Sequence, residues 1–168
     1  MRVDYAQKFP AARQAMLALE KAVRSGSLEP LLLELVKIRA SQLNGCAHCQ
    51  EMHTKDAHAL GQDDDRMHLV AAWQEAPCFT QREQAALQWC EALTLLPRSG
   101  APDEVFVAVE AVFSAEEIVA LTLAIVAING WNRFAVGSRA PVGNHTPSVL
   151  ADHTPIPTAG LRGRQRGR

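Results

Sequence analysis

Two thiols and two imidazoles stand close together in the segment Cys46-Ala47-His48-Cys49-Gln50-Glu51-Met52-His53. A carboxylate, Glu34, lies upstream, alone in the apolar run Leu31-Leu32-Leu33-Glu34-Leu35-Val36. On a helix, Cys46, Cys49 and His53 fall at i, i+3 and i+7 and share one face. Thiols that can reach each other, a base beside them and a nearby carboxylate are the parts of a dithiol–disulfide site. The same residue types also hold metals, so the cluster is open to both chemistries.

Helix geometry acts on the cysteines first. Asn44-Gly45 interrupts the preceding helix and puts Cys46 in or near the first turn of the next. Unpaired amide N–H groups and the helix dipole at that end favour an anion and lower a thiol pKa. An ordinary thiol is roughly 3% ionised at neutral pH, and lowering its pKa by about two units (about 2.7 kcal/mol) makes it mostly thiolate. His53 follows Cys49 by one turn, within reach of its sulfur directly or through a water. Cys46 thus has the helix end and Cys49 the histidine, and spacing does not decide which sulfur attacks. Either sulfur, once oxidised, has a partner close enough to form a disulfide.

Glu34 supports two readings. With Lys37 and Ser41 it sits at i, i+3 and i+7, a plain solvent-facing stripe, and pattern alone slightly favours this. In the second, the Asn44-Gly45 break folds two helices into a hairpin, and Glu34 faces the thiol helix to orient His53 or pass protons. Zinc ranks below redox chemistry. Cys46, Cys49, His53 and Glu34 offer four ligands, but helical spacing separates Cys46 from His53 by about 10 Å along the axis, awkward for one tetrahedral ion. A thioredoxin-like fold needs a strand before Cys-x-x-Cys, whereas Leu31 to Leu43 is helical in pattern.

The elements that must position this cluster are helices. No alternating strand pattern occurs, and the fold class expected is all-α, a bundle of about seven helices. They are predicted over 10–24, 30–43, 46–61, 64–75, 80–96, 102–113 and 114–137. Thr80-Gln81-Arg82-Glu83 and Ser114-Ala115-Glu116-Glu117 are capping-box patterns. Asp63-Asp64-Asp65 reads as an acidic helix start rather than a calcium loop. The last helix is apolar nearly all round and is expected at the buried centre of the bundle. Trp73, Trp89, Trp131 and Phe134 are expected to pack; Trp131 and Phe134 have a second reading, lining the thiol site or a subunit contact. Cys90 is expected to be a core thiol, and Cys78 to lie in a turn without a chemical role.

With 168 residues, 48% apolar and 21% charged, the chain suits one domain with a sizeable core. Residues 1–139 form the expected helical domain. Residues 140–168, rich in Pro, Gly and Thr and ending in alternating arginines, form an arm or tail. Its closing arginines could touch nucleic acid, but a solvated end or an arm packing on a neighbouring subunit is favoured. A net charge of −1 gives no support for nucleic-acid or membrane binding. The apolar run Ile118 to Ile128 is too short to span a bilayer. Met1 to Lys8 lacks the apolar stretch of a secretory signal, so a cytoplasmic location is expected. In that compartment a close cysteine pair is read as catalytic or metal-binding rather than as a static staple.

The segment from Glu34 through Cys49, followed by His53, closely resembles the core motif of the alkylhydroperoxidase D-like proteins of the carboxymuconolactone decarboxylase superfamily. Glu, Cys-x-x-Cys and the following His all stand at matching spacing, and Ala127-Ile128-Asn129-Gly130-Trp131-Asn132-Arg133 resembles a further shared segment. The likeness runs over roughly residues 10 to 138. It implies an all-helical homo-oligomer, a trimer or hexamer, with no cofactor. It implies peroxidase activity in which Cys49 attacks the peroxide and becomes a sulfenic acid, and Cys46 resolves it as a disulfide. Glu34 and His53 are implied as a proton relay, which turns the weight on Glu34 from stripe to function; His48 is carried over only as an accessory. The electron donor would be a lipoylated protein, thioredoxin or a small thiol. Carboxymuconolactone decarboxylases proper lack the cysteine pair, so lactone decarboxylation is not expected. Two other classes stay open: a redox sensor or disulfide adaptor with little peroxidase activity, and a non-catalytic zinc-stabilised bundle.

Overall fold

The computed structural model describes residues 1–147. Within them the chain forms α1 (Tyr5–Lys8), α2 (Pro10–Arg24), α3 (Pro30–Leu43), α4 (Ala47–Ala59), α5 (Asp64–Leu69), α6 (Gln81–Thr94), α7 (Leu96–Ser99), α8 (Asp103–Glu110) and α9 (Ala115–Ser138), with no strand among the described residues. The arginine-ended tail, residues 148–168, lies outside them.

Local chemistry sets most boundaries. Pro10 and Pro30 open α2 and α3, where a missing N–H costs nothing. Both capping boxes form, with Thr80 and Ser114 accepting from the backbone of Glu83 and Glu117. Asp63 caps α5. The predicted helix over 64–75 is shorter as α-helix, ending at Leu69 and tightening into a 3-10 turn, Val70–Ala72. Val70 of this turn is buried, and Trp73, Ala76 and Phe79 in the irregular segment after it are buried too, so the chain follows the core without continuing as α-helix. Helix α6 stops at Thr94 rather than Leu96 because Pro97 cannot donate to residue 93 and its ring would clash there; the one-turn α7 restarts the chain. The other short helix, α1, is held by the Asp4 carboxylate, which accepts from the Ala6 and Gln7 amides at 3.1 Å.

The centre of the bundle is α3. It packs against α4, α6, α9 and the 3-10 turn, and it divides the core. Leu32, Leu33, Val36 and Ala40 enter a cluster with Cys46, Cys49, Cys90, Ala124 and Ile128. Leu35 and Ile38 enter another with Ala57, Val70, Trp73, Phe79 and Leu87. The expectation that α9 is the buried centre is therefore corrected. Helix α9 packs against α2, α3, α4, α6 and α8. One face stays open, with Val119 70% and Val126 54% exposed. A helix that is apolar all round carries no stripe to say which side is covered. At 24 residues α9 also has the length and apolarity to cross a membrane, which the shorter run Ile118 to Ile128 did not suggest; here it is a packed helix of the bundle.

A polar seam ties α9 to the end of α3. The Asn44 side-chain amide donates to Ala40 O (2.9 Å), Asn129 Oδ1 (3.0 Å) and Asn132 Oδ1 (2.9 Å). Asn132 in turn donates to Ser41 Oγ at 3.1 Å, and Asn129 to Thr94 Oγ1 at 2.9 Å. This is the structural content of the Asn129–Asn132 segment picked out in the sequence. Asn132 is buried, so removing it leaves a gap in the interior and takes one hydrogen bond each from Ser41 and Asn44, which keep their bonds to Lys37 O, Ala40 O and Asn129. Asn132→Ala is expected to cost about 2 kcal/mol and to lower Tm by about 4–8 °C in a thermal melt followed by circular dichroism. A Tm within about 1 °C of the parent would remove the seam from the supports of the fold.

Candidate active site

Helices α3 and α4 form an antiparallel hairpin through Asn44-Gly45-Cys46. Gly45 takes φ +64°, and a Cβ there would meet nothing within 4 Å, so the demand for glycine is conformational rather than steric. Cys46 is the N-cap of α4, one residue before the helix rather than within it, and its sulfur accepts from the Cys49 amide at 3.3 Å. A helix-end amide directed at sulfur stabilises a thiolate. Cys46 and Cys49 are buried, their Cα atoms are 5.4 Å apart, and their sulfurs lie at disulfide distance. Paired in this way, neither is available to a metal.

The hairpin brings Glu34 onto His53. Imidazole Nδ1 lies 2.7 Å from Glu34 Oε2 and both side chains are buried. The contact fixes the ring: Nδ1 donates to the carboxylate and the proton-accepting nitrogen is Nε2. Nε2 is buried and has no hydrogen-bond partner among the described residues. His53 follows Cys49 by one turn of α4. The solvent-facing stripe is overturned, since Glu34, Lys37 and Ser41 are all buried. Lying at the centre of the bundle, α3 has no solvent face along this stretch. Lys37 does not pair with Glu34; its ammonium donates to Glu20 at 2.8 Å, and Ser41 Oγ donates to Lys37 O at 2.7 Å.

Burial pushes the Glu34 carboxyl up, but the His53 hydrogen bond and the electrostatic attraction of His53, Lys37 and Arg24 outweigh it and hold the group below its ordinary range. The remaining cysteines are not comparable. Burial pushes the Cys90 thiol up to about 12, which keeps it protonated and unreactive. Cys78 is a free, half-buried thiol in the turn before α6, packed on the Trp73 cluster. Trp131 packs against the cluster that holds Cys46 and Cys49, while Phe134 stacks on Tyr5 at 4.7 Å between ring centroids.

His48 is half-buried, and its Nδ1 lies 2.6 Å from Pro141 O, so Nδ1 carries a proton. This contact belongs to a strap that sequence reasoning missed. Beyond α9 the chain turns back across α4. The Gly143 amide donates to Glu51 (2.7 Å), Lys55 donates to His145 O (3.0 Å), and His145 Nε2 meets Asp56 Oδ1 at 2.7 Å. The Glu51, Lys55 and Asp56 positions, one and two turns along from His48, form a readable polar face. Nothing in the local sequence says that residues 141–145 would lie on it. Asp56 was likewise missed: ligating atoms of Glu34, His53 and Asp56 lie within 4.8 Å of one another.

The sign of the Glu34 shift gives a test. A carboxyl whose folded pKa lies below its unfolded value, near 4.5, contributes stability that is complete above that value and is lost as pH falls through the folded one. The Tm difference between the parent and Glu34→Gln is expected to hold steady from about pH 7 to about pH 5 and to narrow below about pH 4.5. A difference that stays flat down to about pH 3 would contradict the assignment.

A family model described as "Carboxymuconolactone decarboxylase family" matches residues 9–92. The Bacillus subtilis protein YdfG, described only as uncharacterized, is 40% identical over 83% of this chain and 96% of its own. A protein of unknown function from Agrobacterium tumefaciens, described as a candidate antioxidant defence protein AhpD, superposes with a TM-score of 0.83 at 44% identity, covering 86% of this chain and 99% of that one. The debrominase Bmp8 shares the fold, with a TM-score of 0.74 at 18% identity over 82% of this chain and 74% of its own. With its paired Cys46 and Cys49 and its all-helical fold, the chain belongs to the carboxymuconolactone decarboxylase family, in its alkylhydroperoxidase D-like branch.

Proposed function

We propose that the protein is a thiol-dependent peroxidase that reduces small organic hydroperoxides or hydrogen peroxide by cycling Cys46 and Cys49 between dithiol and disulfide. The observation that carries this is His53: Glu34 holds Nδ1, which leaves a buried Nε2, unpartnered among the described residues, one turn from a cysteine that can close a disulfide. Carboxylate, imidazole and nucleophile in that order form the logic of an activated nucleophile.

Nε2 takes the Cys49 proton. The thiolate attacks the terminal peroxide oxygen, the O–O bond breaks, and the leaving alkoxide takes a proton to become an alcohol. Cys46 then attacks the sulfenic sulfur of Cys49, the S–O bond breaks, and hydroxide leaves as water with the second thiol proton. Two thiols and one hydroperoxide thus become one disulfide, one alcohol and one water. A dithiol donor, lipoylated protein, thioredoxin or a small thiol, restores the pair by exchange. The Cys46 sulfur, already accepting an amide N–H, suits the resolving role; His48, held by Pro141, is an accessory at the rim. The open valine face of α9 supports an assembly of copies, a trimer or hexamer, and the composition supports a cytoplasmic setting without nucleic-acid or membrane partners. The Agrobacterium tumefaciens relative supports the antioxidant assignment.

One observation favours a second reading. Cys46 is 2% and Cys49 1% exposed, which restricts the approach of peroxide and so favours the reading with little peroxidase activity, a redox sensor or disulfide adaptor that opens on meeting its partner. Peroxide consumption with each donor class separates the two: an adaptor forms and passes on the disulfide while consuming peroxide no faster than background.

Cys49→Ser is expected to reduce turnover to the uncatalysed background, and Cys46→Ser to consume one equivalent of peroxide and stall, both read by peroxide loss in a coupled assay. Full activity of either serine variant sinks the mechanism. Glu34→Gln is expected to slow disulfide formation by about a hundredfold or more at neutral pH, as removal of a general-base partner does. A rate within about twofold of the parent would take Glu34 out of the relay.

A further inference from the structure

We propose that Asp56 is a positioning residue for the thiol chemistry, carrying protons between the buried Glu34–His53 pair and solvent while His145 of the strap holds it in place. This rests on the peroxidase reading. Nε2 can hand the Cys49 proton to the leaving alkoxide, but while the thiolate waits for peroxide that proton exchanges with water, so His53 has to be able to regain it from outside. Yet Cys46, Cys49, His53 and Glu34 are all buried. Some group has to join that interior to water.

Asp56 fits by position and by exposure. It follows His53 by three residues on α4, so the two share a face. Its carboxylate, the His53 ring and the Glu34 carboxylate have atoms within 4.8 Å of one another, the reach of one bridging water. Side-chain exposure rises outward, from 6% for His53 and 10% for Glu34 to 23% for Asp56 and 22% for His145. The carboxylate is also fixed. Oδ1 meets His145 Nε2 at 2.7 Å, and the His145 carbonyl is itself pinned by Lys55 at 3.0 Å.

A plain surface ion pair is the competing account of Asp56–His145, and such pairs contribute little to stability. Stability alone gives no reason for the placement. A second carboxylate this near Glu34 repels it unless a proton or a positive charge accompanies the two. His53 and His145 supply that proton, one on each side. The result is two carboxylate–imidazole pairs in series, the inner one buried and the outer one wet.

The test is single-turnover disulfide formation by the reduced full-length protein with cumene hydroperoxide, followed by stopped-flow quenching and counting of free thiols. Asp56→Asn is expected to lower the rate at saturating peroxide by about tenfold or more while changing the half-saturating concentration by less than about twofold. Asp56→Glu, which keeps a proton-carrying carboxylate, is expected to recover most of that loss, and a thermal melt of each variant reports its fold. His145→Gln is expected to fall between the parent and Asp56→Asn. A rate for Asp56→Asn within about twofold of the parent overturns the proposal, and so does an Asp56→Glu variant as slow as Asp56→Asn with the same Tm. If the parent forms no disulfide with peroxide, the peroxidase reading fails instead. The proton path is then judged on reduction of the Cys46–Cys49 disulfide by dithiothreitol, where the departing thiolates need the same protons and the same order of variants is expected. Equal reduction rates for parent and Asp56→Asn overturn it there.

Discussion

The turn at Asn44-Gly45-Cys46 is the constraint on which the rest depends. It reverses the chain tightly enough to lay α4 along α3, which sets Glu34 against His53 across the hairpin. It also ends one helix and caps the next with the same short stretch: the Cys46 amide donates back to the Ser41 carbonyl of α3, while the Cys46 sulfur receives the Cys49 amide of α4. A left-handed glycine supplies the reversal, and the Asn44 side chain locks it to α9 through two asparagines. A site held by one hairpin and one seam has few ways to loosen, which suits groups that must meet within a hydrogen-bond length.

Burying charge at the centre of a bundle is costly unless each charge is answered. The interior of this protein answers in pairs. Glu34 has His53, and Lys37, the largest side chain to be fully enclosed, has Glu20 from α2. Lys37 lies close enough for its charge to be felt at Glu34 as well. Helix α2 therefore does more than cover the core: its Glu20 answers a lysine whose charge adds to the larger effect of His53 in holding the Glu34 carboxyl below its ordinary range.

Much of this was legible in the sequence, for identifiable reasons. Helix starts at Pro10, Pro30, Thr80 and Ser114 are written in local chemistry, and the structure follows them. The thiol pair and its histidine are close in the chain, so helical spacing brings them together without tertiary information. Glu34 was only half legible. Its spacing to Lys37 and Ser41 matches an exposed stripe as well as a buried one, and the deciding fact is the placement of α3, a property of the whole bundle. Helix α9 failed in the opposite direction, because uniform apolarity conceals which face has neighbours. The strap and Asp56–His145 were not legible at all, since they join residues 89 positions apart across an irregular segment.

The hairpin also orders events in time. Glu34 and His53 are separated by 19 positions in the chain, whereas Asn44 and Asn129 are separated by 85. Short loops close at lower entropic cost, and local contacts form earlier. During synthesis the dithiol hairpin emerges and can assemble well before α9 exists to seal it. For that interval the two sulfurs are addressable by any oxidant or thiol in the cell. The redox state in which the finished core closes is thus settled by the surroundings of the nascent chain rather than by the folded protein.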